Sequence, residues 1–436
     1  MICMSLDFTN PAIKKYMLEG KFGLEKESLR VTEEGFLAHT SHPFSDDSHM
    51  ERDFCENQTE LITDACDSVD AAWGQLVGLH KKAVSTLVKL DTGKEFLWPF
   101  SNPPYVRGEE DILIASYSGN LKKKEIYRKY LAEKYGKKKM LFSGIHFNFS
   151  FSNEVLQAGY KKSRIAAFQE YKNHIYLDLA AKVTKYSWLI VYLTAASPVM
   201  DGSFFQDKDL GRDVLKNYAS VRCSEIGYWN QFVPILSYDS LNTYVDSIEE
   251  YVQKGCLREA AELYYPVRLK PTGDNSLDNL RKNGVNHIEL RTLDLNPLAL
   301  AGVQKEDLQF LHVLILYLIS LPSCEFDSYE QIMAIKNEKR AAQYEERDIW
   351  IENGWNRAIP VRDAALDVLF AMERFCEEME KPELMEAIYF QEKKVLCQEE
   401  RYAVKIKQQF KKDYVKNGLK LAEKYTKEIM QKERGV

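Results

Sequence analysis

The residues that could do chemistry fall on short stretches that alternate. In Gly23-Leu24-Glu25-Lys26-Glu27-Ser28-Leu29-Arg30-Val31, a β-strand would turn Glu25 and Glu27 to one face and Leu24, Lys26 and Ser28 to the other. Two carboxylates on one face repel each other, and a pair of oxygen ligands suits a hard cation such as Mg²⁺. A solvated strand face carrying two surface glutamates satisfies the same pattern. In Gly144–Phe151, Ile145, Phe147, Phe149 and Phe151 must pack on a core, while His146, Asn148 and Ser150 share the opposite face. An imidazole there can ligate a metal through one nitrogen; a solvated antiparallel sheet face is the alternative. In Val285–Asp294 the same rule puts His287, Glu289 and Arg291 together. Exposed, Glu289 and Arg291 would be an ion pair of little worth. In a phosphate-handling cleft, the glutamate would hold metal and the arginine would take phosphate oxygens in bidentate fashion. Three strands with ligand residues on one face favour a shared site.

Other chemistries lack their residues. The sequence has no Gly-x-x-x-x-Gly-Lys-[Ser/Thr] loop and no Gly-x-Gly-x-x-Gly after a strand, so a nucleotide would have to be held by another device, such as metals bridging its phosphates. Without a Gly-x-Ser-x-Gly elbow, serine-hydrolase chemistry has no support. A net charge of −6 argues against nucleic-acid binding. The lysine runs at Lys122–Lys124 and Lys137–Lys139 read as solvated surface or as a local patch for an anionic ligand. Eight cysteines without a Cys-x-x-Cys pair point to reduced thiols. No signal peptide opens the sequence, and its most apolar stretches, 188–199 and 310–322, are too short or interrupted to span a bilayer. The expectation is a soluble cytoplasmic protein.

The elements that must position these residues follow from periodicity. Strands are expected at 22–31, 57–63, 140–151 and 286–295, the second placing Gln58, Glu60 and Ile62 on one face. Helices are expected within 1–20 and at 68–90, 125–135, 164–196, 240–254, 259–264 and 305–321, with a helix-rich remainder from about 328. Pro99, Pro103 and Pro104 make 96–105 a loop. With 436 residues, no internal repeat and no Gly/Ser linker, the economical expectation is one large α+β domain over 1–436, its motif-bearing core at about 20–325 and a helix-rich part at about 326–436.

Six ordered motifs between residues 23 and 297 carry a family resemblance. Gly23–Arg30, Asp53–Thr63, Trp98-Pro99 with Asn102-Pro103-Pro104, Gly144–Ser150, Arg222–Tyr228 and His287–Pro297 resemble the corresponding motifs of bacterial glutamate–cysteine ligases, and in particular the N-terminal part of two-function glutathione synthases. The resemblance implies a glutamine-synthetase-like α+β fold, a curved and mainly antiparallel sheet forming a funnel backed by helices. It implies Mg²⁺, with Mn²⁺ as a substitute, and ATP as co-substrate. The γ-carboxylate of L-glutamate would attack the γ-phosphate of ATP, and the amine of L-cysteine would capture the acyl phosphate, giving γ-glutamylcysteine, ADP and phosphate. By the same resemblance Glu25, Glu27, Asp53, Glu60, His146 and Glu289 would ligate metal. Arg291 would neutralise the transferred phosphoryl group, and Arg222 would bind a carboxylate of glutamate. Tyr127, Tyr228 and Tyr264 would shape the cysteine pocket, and Asn148 would sit beside the metals or the nucleotide.

Two departures shape the expectation further. Met140 stands where enterobacterial members carry a polar residue, and the sequence stops near 436, where the fused enzymes continue into an ATP-grasp domain. A monofunctional first-step ligase is therefore expected, with no nucleic-acid, membrane or obligate protein partner. The alternatives are a γ-glutamyl ligase for another amine and a non-catalytic regulatory homologue. The second should have lost metal carboxylates, which this sequence retains.

Overall fold

β1 (Gly20–Thr32) is the spine of the sheet. In the computed structural model, which describes residues 6–44, 47–205, 217–323, 325–353 and 357–433, it is flanked by β3 (Gln58–Ile62) and β5 (Gly144–Phe151). β2 (Met50–Arg52) lies outside β3, and β7 (His287–Asp294) followed by β6 (Val267–Lys270) lies outside β5. The order is β2-β3-β1-β5-β7-β6, with β4 (Glu95–Leu97) paired to the end of β1. Every ladder in this open sheet is antiparallel. A separate two-stranded sheet pairs β8 (Trp350–Asn353) antiparallel to β9 (Arg357–Pro360).

Alternation decides which face is covered. Phe22, Leu24, Phe147, Phe149, Ile288, Leu290 and Leu293 are all buried, in one cluster with the helices Val69–Leu87, Phe168–Thr194 and Lys305–Ser320. Each such side chain contributes roughly 1.5–3 kcal/mol by leaving water. The opposite face keeps the polar residues that the strand pattern assigned to it. Ser68 caps the first of these helices by accepting from the Ala71 amide at 3.1 Å. At the end of the second, the Asp294 carboxylate accepts from the Ala196 amide at 2.9 Å and from the Ser197 hydroxyl at 2.8 Å.

Several motif residues build scaffold. Arg30 is fully buried, donating to Glu95 at 2.7 Å and to the Thr40 and Glu56 carbonyls at 2.9 and 3.0 Å. Trp98 donates from Nε1 to the Asn102 carbonyl at 2.8 Å, and Tyr414 of the C-terminal helix Tyr414–Glu433 donates to the same oxygen at 2.9 Å. Asn102 in turn donates to the Ser197 and Val199 carbonyls, both at 2.9 Å. The C-terminal helices are tied in by a buried cluster in which Lys394, Tyr402 and Gln391 donate to Asp307 at 2.7, 2.8 and 2.9 Å.

The elements depart from expectation where signals are short. The strand expected from Met140 starts at Gly144; Lys138–Leu141 is a 3₁₀ turn in which Met140 and Leu141 are both buried, which neighbours on a half-covered strand cannot be. The helix expected at 259–264 is a single 3₁₀ turn, Ala260–Glu262, closely followed by Pro266. Of the first stretch only Pro11–Lys14 is helical among the described residues. β2, β4, β6, β8 and β9, at three or four residues each, went unanticipated. Cys55, Cys66, Cys223, Cys256, Cys376 and Cys397 are free thiols; Cys3 and Cys324 lie outside the described residues. No described helix is long and apolar enough to cross a membrane.

Candidate active site

Register brings the candidate ligands together. Glu27 stands directly opposite Glu60 on β3, Glu25 opposite His146 on β5, and Asn148 opposite Glu289 on β7. A bulge in β7 sets Arg291 and Thr292 against His146, between the pairs Ile145–Leu293 and Phe147–Leu290. Bulges of this kind re-aim side chains at functional sites. The open face above these strands is a cleft of about 420 Å³. It is lined by Glu25, Glu27, Asp53, Glu60, His146, Arg222, Glu289 and Arg291, and by Tyr127, Tyr228 and Tyr264.

The carboxylates differ in how they are balanced. Glu289 is fully buried between two cations, with Arg291 Nη1 at 2.5 Å from Oε1 and Lys270 Nζ at 2.6 Å from Oε2. Burial opposes its charge, but Arg291, Lys270, His146 and Arg268 hold the carboxyl well below the usual range. Burial and the Glu289 charge likewise oppose Glu25, but its hydrogen bond to His146, at 3.1 Å, together with the His146 and Lys270 charges, outweighs them, so that it too is lowered. Glu27 and Glu60 go the other way. Burial and the Asp53 charge raise Glu27, even though the Gly144 amide donates to it at 2.9 Å. Burial, then Glu25, Asp53 and Glu27, raise Glu60 well above the usual range.

These groups fit a divalent cation. Donor atoms of Glu25, His146 and Glu289 lie within 4.8 Å of one another, and so do those of Glu27, Glu60 and His146, so the imidazole joins two clusters. The set is carboxylate oxygen and imidazole nitrogen without thiolate, which suits Mg²⁺ or Mn²⁺. Glu289 Oε2 is buried and makes no hydrogen bond, its approach to Lys270 being an ion pair without hydrogen-bond geometry. Asp53 belongs to neither cluster but lines the same cleft.

Around the carboxylates stand the groups for organic substrates. The Arg222 guanidinium donates to the Arg291 carbonyl at 2.9 Å and lies over Gly144, where a Cβ would come within 2.3–2.7 Å of it. Gly227 lets its own turn close, since a Cβ there would sit 1.8 Å from the Arg222 carbonyl oxygen. The rings of Tyr228 and Tyr264 meet at 3.9 Å between centroids. The Tyr127 hydroxyl is buried without a partner, and burial followed by the Tyr264 charge raises its pKa. Asn148 donates to Glu25 Oε1 at 2.9 Å and reaches the cleft through that carboxylate, its own Oδ1 being buried and unpartnered.

Sequence reasoning missed two cations on β6. Arg268 lines the cleft and donates from Nε to the Leu263 carbonyl at 2.9 Å and from Nη2 to that of Ala261 at 2.6 Å; burial, then the neighbouring Arg291, lowers its pKa. The signal was the alternation Val267-Arg268-Leu269-Lys270 between Pro266 and Pro271, too short to weigh alone. Lys123, Lys124 and Lys139 from the two lysine runs also line the cleft.

Residues 7–257 and 252–341 match the family model described as glutamate–cysteine ligase. The glutathione biosynthesis bifunctional protein GshAB of Listeria monocytogenes is 36% identical over 435 residues, covering 96% of this chain and 56% of that protein. That of Clostridium perfringens is 37% identical over 385 residues, or 84% and 48%. The chain thus spans about half the length of the curated relatives it matches. The crystal structure of a bifunctional glutathione synthetase from Pasteurella multocida superposes with a TM-score of 0.85 at 26% identity, covering 98% of this chain and 55% of that one. A glutamate–cysteine ligase from Francisella tularensis, solved in complex with AMP, has the same fold at a TM-score of 0.83 and 24% identity, covering 94% of this chain and 89% of that one. By the extent of these matches, the chain belongs to the glutamate–cysteine ligase family.

Proposed function

We propose that the protein is a cytoplasmic, ATP-dependent ligase that joins the γ-carboxylate of L-glutamate to the amine of L-cysteine, the first step of glutathione biosynthesis. What carries the reading is the convergence of six metal-ligand candidates, two arginines and three tyrosines on one cleft of about 420 Å³. Glu25, His146 and Glu289 would hold one Mg²⁺ and Glu27, Glu60 and His146 another, with Asp53 beside them. Bound there, Mg²⁺ supplies charge neutralisation on the phosphate oxygens.

Phosphoryl transfer needs aligned reactants and fixed cations more than a covalent residue. Arg291, pinned against Glu289, would meet the γ-phosphoryl group as it passes to the glutamate carboxylate and ADP leaves. Arg222 would hold a glutamate carboxylate, and Asn148, by orienting Glu25, would serve the nucleotide side of the cleft. Tyr127, Tyr228 and Tyr264 would exclude water from the acyl phosphate and seat cysteine, whose amine attacks the acyl carbon with departure of phosphate. Residues 1–436 would act as one catalytic unit; a single buried cluster draws side chains from Leu6 to Ile429.

The test is ADP release with Mg²⁺, ATP and L-glutamate, comparing L-cysteine with serine, 2-aminobutyrate and glycine. Strong preference for cysteine is expected. A different favoured amine would move the acceptor assignment, and no ADP with any acceptor would end the ligase reading.

A further inference from the structure

A smaller cavity of about 50 Å³ adjoins the cleft. Arg222, Tyr228, Tyr264 and Arg291 line both spaces, and the smaller one adds Glu338, from the helix Ser328–Ala341. None of the motifs includes this glutamate. It is 2% exposed, and its Oε2 is buried with no hydrogen-bond partner. The adjacent Lys339 does not answer it, being turned over the Trp229 ring with Nζ 4.7 Å from the centroid. Burial lifts the Glu338 carboxyl, and the Ser187 hydroxyl and the charges of Lys339 and Arg222 offset that only in part, leaving it at about 7.

A buried carboxylate oxygen without a hydrogen-bond partner is costly, and here it faces a hollow with room for roughly four waters. That is also the size of an amino-acid head group. We infer that Glu338 and Arg222 form the head-group subsite for L-glutamate, Arg222 taking its α-carboxylate and Glu338 its α-ammonium. The side chain would then extend past Arg291, which lines both spaces, and present its γ-carboxylate in the main cleft. Glutamate is the occupant because its ammonium takes no part in the reaction. The amine of cysteine must be neutral to attack, and a buried carboxylate would hold it protonated. The assignment rests on the ligase reading for the identity of the amino acid, and on the cavity for its chemistry.

Glutarate, which is glutamate without the ammonium, gives the test. Binding of L-glutamate and of glutarate to the full chain is measured by titration calorimetry with Mg²⁺ and a non-hydrolysable ATP analogue, for wild type, Glu338→Gln and Glu338→Asp. Wild type should prefer glutamate. Glu338→Gln should lose at least about tenfold for glutamate and little for glutarate, as expected when a charged hydrogen bond is removed. Glu338→Asp, which keeps the charge, should recover part of the loss. If Glu338→Gln does not fold, the glutamate-to-glutarate ratio of Glu338→Asp, reduced but above one, decides. Equal losses for both ligands, or a wild type indifferent to the ammonium, would overturn the subsite. Preferential glutamate binding without ADP release with cysteine or any other acceptor would refute the ligase reading and leave the subsite standing. ADP release with an unchanged KM for glutamate in Glu338→Gln would refute the subsite alone.

Discussion

Glu289→Gln and Glu60→Gln each remove one carboxylate charge from the same cleft, and their effects on stability should have opposite signs. Glu289 is the only acid at 2.5–2.6 Å from both Arg291 and Lys270 among the described residues, so its replacement strands two largely buried cations. Breaking a buried pair by removing one partner costs about 3–5 kcal/mol. For 436 residues the entropy of unfolding near the midpoint is about 0.9 kcal/mol/K, so the midpoint should fall by about 3–5 °C. Glu60 stands opposite Glu27 on one side and Glu51 on the other, and the largest influences on it are burial and neighbouring acids. Glutamine there relieves repulsion, and the metal-free protein should melt higher than wild type.

Acidification separates the two in the same way. Glu289, depressed in the fold, contributes stability above the ordinary value of 4.5, and that contribution is lost as pH falls through its lowered folded value. Glu60, raised, weighs against the fold at pH values above its raised value, and protonation on the way down relieves it. The assay is thermal unfolding in EDTA across pH, with ADP release under Mg²⁺ in parallel. Both variants should lose turnover by about two orders of magnitude or more. Midpoints that move in the same direction would refute the charge balance drawn here.

Three further outcomes follow from other contacts. Gly144→Ala puts a Cβ within 2.7 Å of the Arg222 guanidinium, so KM for glutamate should rise about tenfold or more with little change in unfolding midpoint; an unchanged KM would show that Arg222 does not touch glutamate. Replacing Lys123 and Lys124 together by glutamate should lower kcat/KM for ATP and flatten its dependence on ionic strength; a salt profile like that of wild type would remove these lysines from substrate capture. Lys394→Met leaves Asp307 buried without its cation and should cost about 3–5 kcal/mol in denaturant unfolding while kcat per folded molecule is kept; a loss of kcat would tie this cluster to the cleft.

The polar faces of β1, β5 and β7 were legible because alternation over eight or more residues leaves little freedom in which side chains share a side. Glu25, Glu27, His146, Glu289 and Arg291 follow directly from it. Two things were not legible. Strands of three or four residues, β6 above all, carry too few alternations to separate from a loop, and with β6 went Arg268 and Lys270. Motif membership also does not say what a residue does. Arg30 shares a motif with Glu25 and Glu27, and Trp98 and Asn102 make up another of the six, yet their partners are Glu95, backbone carbonyls and the C-terminal helix. Glu338 shows the reverse case, since its meaning lies in a cavity that only long-range packing creates.

The strand order has a consequence for how the chain reaches its native state. β1 pairs with β5 across more than a hundred residues, and β7 joins beyond that, so neighbours in the sheet are distant in sequence. Such topology carries high contact order, which slows folding because long loops must close before pairing rewards them. Residue 25 must wait for residue 289 to leave the ribosome before their carboxylates can face each other. The crowded acids Glu27 and Glu60, by contrast, come together across the much shorter connection from β1 through β2 to β3. Synthesis therefore makes the repulsive half of the cleft available first, and Glu289 with its two cations last.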